Sequence, residues 1–241
     1  MTTWLPDDWT QTPNYWPIRR TPTTVGLHTT RGGKHDLLHR RTRHGLQVEY
    51  NATRSWFSQR ASQASGHVLV GPMGRLCRFC IGPVPLMLDA AAIHEAEAMP
   101  RWHAGIGQHG VALTSLAIEL VQEWPDDAFD GLVLERGAEV CAVWARDYAI
   151  PVRWIAEPGV SFDGTTSTQP GFWLHEQIVN KTDPGPMFPA REWLSTVAGL
   201  AVPSFPGAET LPGLRARLAH LEEQVGGLGE QFIRHAAKVH H

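Results

Sequence analysis

Residues 175–189 limit what this chain can fold into more than any other stretch, because His175, Lys181 and Asp183 are followed at once by Pro184, Gly185, Pro186 and, after two residues, Pro189. Proline lacks the amide donor that a helix interior or a central strand requires, so this segment must be an irregular, braced loop. Such a loop can hold side chains still. Imidazole nitrogen and carboxylate oxygen are natural ligands for zinc, and a lysine between them sets a fixed positive charge beside the metal. Taken alone, the stretch also reads as a solvated polar loop. A third ligand, a base and a wall elsewhere in the chain would decide between the two.

The 241 residues give room for one large domain with a short appendage, and for a substantial core. With 21 basic and 24 acidic residues the net charge is -3, which offers no basic field to grip nucleic acid; none is expected as a partner. Cys77, Cys80 and Cys141 are too few for a disulfide framework and point to a reducing compartment. The first residues have neither a basic nor an apolar leader region, and no later stretch has the length of a membrane span, so no membrane insertion is expected. Ten tryptophans are more unusual than the charge, because indole is favoured where a sugar or peptide lies on a flat apolar face.

Along the chain, residues 1–20 hold Trp4, Trp9 and Trp16 among prolines without periodicity, and read as an irregular arm packed on the surface. Residues 23–33 are β-prone and break into glycines just after His28, which places that histidine at a strand end. The basic cluster over 34–44 reads as a solvated loop. Apolar positions at helical spacing predict a short helix over 51–63, and residues 66–81 read as a β-hairpin with its turn at 71–74. Cys77 and Cys80 have the spacing of a metal or redox pair, but on a strand that spacing sends the sulfurs to opposite faces. Trp102 and His103 precede glycines that permit close approach of a ligand. Residues 115–121 are an apolar strand with Glu119 inside it, read either as an edge carboxylate facing water or as a functional group. A helix over 135–148, a short strand over 152–155, a Thr/Ser/Gly-rich loop over 162–170 leading into residues 171–175, and a closing helix over 190–200 follow. Residues 201–213 read as a proline-rich linker. In residues 214–241, Leu214, Leu218, Leu221, Val225, Leu228 and Phe232 form a heptad seam, a C-terminal helix that could pair copies as a coiled coil through 214–238.

The order of these signals (strand-end His28, the Gly66-His67 hairpin, Trp102-His103, Glu119 within its strand, and His175 followed by Lys181-Thr182-Asp183-Pro184-Gly185) resembles the zinc-dependent N-acetylmuramoyl-L-alanine amidases. That family takes in bacteriophage endolysins, bacterial cell-wall recycling amidases and animal peptidoglycan recognition proteins. The resemblance covers residues 21–200 and implies an α/β fold: a central mixed β-sheet flanked by helices, with the C-terminal helix added. Carried over position by position, it implies His28, His175 and Asp183 as ligands of Zn2+, Glu119 as catalytic base, Lys181 as catalytic lysine, and Trp102 and His103 as lining of the substrate groove. One departure is Gly66, which stands where some phage members have a tyrosine that assists catalysis.

The expected activity is hydrolysis of the amide between N-acetylmuramic acid and the L-alanine of the stem peptide, most like a phage endolysin, with bacterial peptidoglycan as partner. Two neutral imidazoles and one carboxylate leave the fourth position of a tetrahedral zinc open for water. The alternatives are a non-catalytic peptidoglycan-binding protein and a zinc peptidase cutting another stem-peptide bond. Without a leader, the protein is expected to be made in the host cytoplasm and to act on the wall after release.

Overall fold

Val25 and Leu27, Leu116, Ile118 and Leu120, and Phe172 and Leu174 recur at every second position of three short runs, and all are buried. That is the period of strands with one face in a core, and each such side chain contributes about 1.5–3 kcal/mol on burial. In the computed structural model, which describes residues 6–13, 15–19, 21–30, 42–62, 66–80, 98–100, 115–122, 124, 126–161, 169–177 and 181–202, these runs are adjacent strands of one sheet.

In chain order the strands are β1 (Asp8–Gln11), β2 (Tyr15–Arg19), β3 (Thr24–Thr29), β4 (Val68–Val70), β5 (Leu76–Cys80), β6 (Ala98–Pro100), β7 (Ser115–Leu120) and β8 (Gly171–Leu174). Six of them form a sheet in the order β1-β5-β4-β7-β3-β8, while β2 and β6 pair separately. Only β4 and β5 run antiparallel within the large sheet; its other neighbours are parallel. The expected α/β architecture, a mixed sheet flanked by helices, is the one observed.

The helices are α1 (Arg43–Phe57), α2 (Gly131–Asp147) and α3 (Ala190–Ala201). On one face, α2 and α3 bury Val133, Val140, Trp144, Trp193 and Val197 against the runs named above. Helix α2 lies so close to β7 that a Cβ at Gly137 would fall 2.8 Å from Leu120 Cδ2, so a larger residue there would have to displace the Leu120 side chain. On the other face α1 places Tyr50 and Phe57 over Leu69, Cys77 and Phe79. Thr42 and Asp130 cap α1 and α2 by accepting from the amides of Gly45 and Leu132.

Four expectations need correction. The N-terminal arm is not irregular: Asp8–Gln11 extend the sheet in parallel with β5, and Tyr15–Arg19 pair with β6. Its strand character is hidden because β1 shows no burial alternation. Instead, its Asp8 carboxylate takes a bidentate grip from Arg75, at 2.7 and 3.1 Å, and a 2.8 Å hydrogen bond from the Tyr50 hydroxyl. Helix α1 starts eight residues earlier than its apolar spacing suggests, at the Thr42 cap, and stops at Phe57. The strand expected over 152–155 is reduced to a bridge between Trp154 and Phe172. Strand β7 lies between β4 and β3, so Glu119 is not an edge carboxylate.

The chain separates into two compact units, residues 1–201 and 202–241. The linker beyond residue 202, the C-terminal helix with its heptad seam, and Trp102 and His103 lie outside the described residues. Among the described residues no helix is long and apolar enough to cross a membrane.

His67 couples the hairpin to the sheet and to pH. Its Nδ1 accepts from the Ala117 amide at 2.9 Å, and its own amide donates to the Ala117 carbonyl at 2.9 Å. Burial, with a smaller contribution from the Arg78 charge, pushes its pKa from 6.5 down to about 3. Between those values the unfolded chain binds a proton that the folded chain refuses, so stability is lost as pH falls through this window, by up to about 1.4 kcal/mol per pH unit. Denaturant unfolding from pH 7 to 4 should show wild type losing stability relative to His67→Asn, whose Oδ1 can still accept from Ala117. Parallel curves for the two proteins would refute this role.

Candidate metal centre

The site is assembled by strand register. His28 on β3 is paired with Glu119 on β7, and Leu27 with Leu174 on β8, so His175 follows beside His28 at the carboxyl ends of parallel strands. Ligand sites in open α/β sheets form at such ends, where side chains from separate strands converge beyond the ladder. His175 opens a short 3-10 turn, His175–Gln177, that Gln177 clamps. Gln177 accepts from the Leu174 amide at 2.9 Å and donates to the carbonyls of Ala156 and Glu157 at 2.7 and 3.1 Å.

Asp183 is carried in from the proline-rich loop. Its Oδ2 lies 2.8 Å from His175 Nδ1, 3.9 Å from His28 Nδ1, and accepts from the Thr29 amide at 3.3 Å. One ligand atom from each of His28, His175 and Asp183 lies within 4.8 Å of the others, and all three residues are buried. Zinc bonds of about 2.0–2.2 Å in tetrahedral geometry hold ligand atoms about 3.3 Å apart, and the observed separations bracket that spacing. The donor set, two imidazoles and a carboxylate, is among those that hold zinc with an open position.

Trp173 fixes the His28 ring. It stands edge-on at 5.7 Å between centroids, with its own Nε1 donating to Ser115 Oγ at 2.9 Å. Glu119 approaches from the neighbouring strand, with Oε1 3.9 Å from His28 Nδ1 and a side chain 13% exposed. Lys181 is half-buried two residues before Asp183.

The electrostatics suit a cation at the centre. Burial, reinforced by the charges of His175 and Lys181 and opposed by Asp183, holds His28 well below the usual histidine range. It is therefore neutral at pH 7 and keeps a lone pair for a metal. Burial acts to raise Asp183, but the hydrogen bond with His175, the charges of His175 and His28 and the Thr29 amide outweigh it, and the carboxyl is lowered. Glu119 moves the other way: burial first, then the charges of Asp183 and Glu49, push it well above the usual carboxylate range.

Of the residues expected to serve the site, His28, His175, Asp183, Glu119 and Lys181 are brought to one end of the sheet. Trp102 and His103 fall outside the described residues. Gly66 faces Glu119, since a Cβ there would lie 3.5 Å from Glu119 Cγ. Sequence reasoning missed Gln177, Trp173 and Glu49. The first two act through hydrogen bonds that no spacing reveals. Glu49 carried a detectable signal, a carboxylate seven residues before Trp56 on the same face of a helix.

Fold and donor set together define an α/β protein with a candidate metal centre at the ends of its parallel strands. No family model matches the chain, and no curated protein matches it. Among solved structures it is similar to the catalytic domain of XlyA at 15% identity and a TM-score of 0.47, covering 80% of this chain and 99% of that one. A selenomethionine derivative of AmpD is similar at 17% identity and a TM-score of 0.46, covering 80% and 96%. The N-acetylmuramoyl-L-alanine amidase LysC from Clostridium intestinale URNW is similar at 10% identity and a TM-score of 0.45, covering 79% and 97%.

Zinc titration tests the centre directly. Zinc at a hundred times its Kd should stabilise the protein by about 2.7 kcal/mol, read as a rise in Tm. Asp183→Ala should weaken zinc binding by on the order of 100-fold. Gly185 has φ 77°, so Gly185→Val strains the loop that holds Asp183 and should weaken zinc before it unfolds the domain. Equal zinc affinity in wild type and both variants would remove this loop from the metal site.

Proposed function

We propose that the protein is a zinc-dependent peptidoglycan hydrolase that cleaves the amide between N-acetylmuramic acid and the L-alanine of the stem peptide. The observation that carries this reading is the convergence of His28, His175 and Asp183 with a carboxyl, Glu119, that is held apart from the donor set and strongly shifted in pKa. The sequence resemblance to the zinc amidases assigns the same residues to the same roles.

Zinc held by the three donors would supply Lewis acidity and a water that ionises near neutral pH. The rest of the chemistry falls to the protein. Glu119 takes the proton from the attacking water and returns it to the departing alanine amine, a task for which a carboxyl held above its usual range by burial is suited. Lys181 offers its ammonium to the negative charge that develops on the carbonyl oxygen, an interaction worth about 3 kcal/mol when well placed. The neutral state of His28 and the ionised state of Asp183 keep the donor set ready at the pH where Glu119 works.

As an endolysin, the protein would reach the wall from the cytoplasm through a membrane lesion. The heptad seam over 214–238 would join copies of the chain.

Purified peptidoglycan, digested with and without a chelator and analysed by mass spectrometry, distinguishes the readings. The expected products are a free muramic lactyl carboxylate and an N-terminal alanine, both lost with chelator. Glu119→Ala and Lys181→Ala should each lower kcat by on the order of 100-fold with zinc still bound. Release of nothing would identify a binding protein instead, and cleavage elsewhere in the stem peptide would identify a peptidase. Full activity in Glu119→Ala with zinc bound would defeat the assignment of the base.

A further inference from the structure

Two hydroxyl residues, Thr24 and Ser115, open strands β3 and β7 at the end of the sheet away from the metal centre, and both are buried. Register relates them to the site. Strand β8 sets Trp173 beside Gly26 of β3, and Gly26 in turn lies beside Ala117 of β7. These two small residues leave room on their face of the sheet, and the fully buried indole of Trp173 takes it. Residues two apart in a strand share a face, so the Thr24–Ser115 row lies one step below the indole and the His28–Glu119 row one step above.

The indole touches both rows. Below, its Nε1 donates to Ser115 Oγ at 2.9 Å, and Ser115 Oγ shares a further hydrogen bond with Thr24 Oγ1. Above, it meets His28 edge-on, with centroids 5.7 Å apart and planes at 80°, and His175 at 6.5 Å and 72°. The two imidazoles, 4.2 Å apart, thus share one wall.

Hydroxyl groups in a dry interior are costly unless hydrogen-bonded, and alanine and valine would fill the same space with no polar atom to satisfy. What a satisfied polar network adds is uniqueness, because any other arrangement breaks its bonds. Here the arrangement it specifies is the tilt of the indole, and that tilt limits how far either imidazole can turn.

We propose that Ser115 and Thr24 are positioning residues of the metal centre, acting through Trp173 on the orientation of His28 and His175. The proposal rests on the zinc-binding part of the reading above and is independent of which bond is cleaved.

The test uses the metal-free full chain, titrated with zinc against a chromophoric chelator and with Co2+, whose visible absorption reports the geometry of its ligands. Ser115→Ala removes the acceptor and keeps the indole, whereas Trp173→Phe keeps an aromatic ring and removes the donor. Val140→Ala, a cavity in the core beneath α2, controls for lost stability. Ser115→Ala and Trp173→Phe should each weaken zinc binding by on the order of tenfold and shift the Co2+ bands. Thr24→Val should fall between wild type and Ser115→Ala, and Val140→Ala should lose stability in denaturant while keeping the zinc affinity and Co2+ bands of wild type. Wild-type zinc affinity and Co2+ bands in a folded Ser115→Ala overturn the proposal and leave the metal centre standing. A loss of affinity in Val140→Ala equal to that in Ser115→Ala also overturns it, since stability alone would then account for the effect. Wild-type behaviour in Thr24→Val removes Thr24 from the network. Should Trp173→Phe fail to fold, the two hydroxyl variants, which change fewer atoms, decide the matter. A wild type that takes up neither zinc nor Co2+ removes the metal centre itself, and the positioning role with it.

Discussion

The parallel registration of β7, β3 and β8 is the constraint on which the site depends. Because His28 sits opposite Glu119, and Leu27 opposite Leu174, one candidate metal ligand and the carboxyl proposed as base occupy neighbouring positions and the second histidine follows at the next step. A slip of one residue in any of these strands would turn its side chains to the opposite face. The slip is resisted from below, since Val25, Leu27, Ile118, Leu120, Phe172 and Leu174 would leave the core together. The hydrophobic pattern thus sets the geometry of the polar groups above it, and site and core cannot be altered independently.

What gathers at the strand ends is electrostatically unsettled. Two imidazoles, two carboxyl groups and a lysine crowd into a space from which water is largely withdrawn, and the shifts of His28 and Glu119 away from their ordinary ranges express that tension. Their arrangement is held by neutral contacts: Trp173 against His28, Gln177 across the turn that carries His175, and the Thr29 amide on Asp183. Fixing donors in advance lets a metal bind without ordering them, which is the general advantage of a preorganised site. The same packing explains why the ligand loop is braced by proline and glycine, since a mobile Asp183 would have to be ordered each time.

Much of this was legible in the residues. The strand-end position of His28, the apolar run around Glu119 and the unusual Lys181–Gly185 segment each carry a local signal, because strand period, charge in an apolar run and breaker residues are properties of neighbours in sequence. The hairpin at 66–81 and the closing helix at 190–200 were likewise readable. What stayed hidden depends on partners far along the chain. Asp8–Gln11 have no burial alternation, and their place in the sheet is set by β5 and by Arg75 and Tyr50. Glu119 reads from sequence as an edge carboxylate or a functional one, and only strand order, with β7 between β4 and β3, removes the first option. The early start of α1 escaped because Thr42 acts as a cap without an apolar stripe following at once.

The N-terminal strand has a bearing on how the domain can be handled. Strand β1 covers the outer edge of β5, whose free backbone groups would otherwise face solvent beside buried Leu76, Cys77 and Phe79. An uncovered strand of that composition is a template for pairing with another chain. A protein shortened to residue 21, where the sequence alone would place the domain boundary, would retain every candidate metal ligand and yet present a bare β-edge. Its failure in solution would then be self-association through β5, with the candidate metal site intact inside the aggregate.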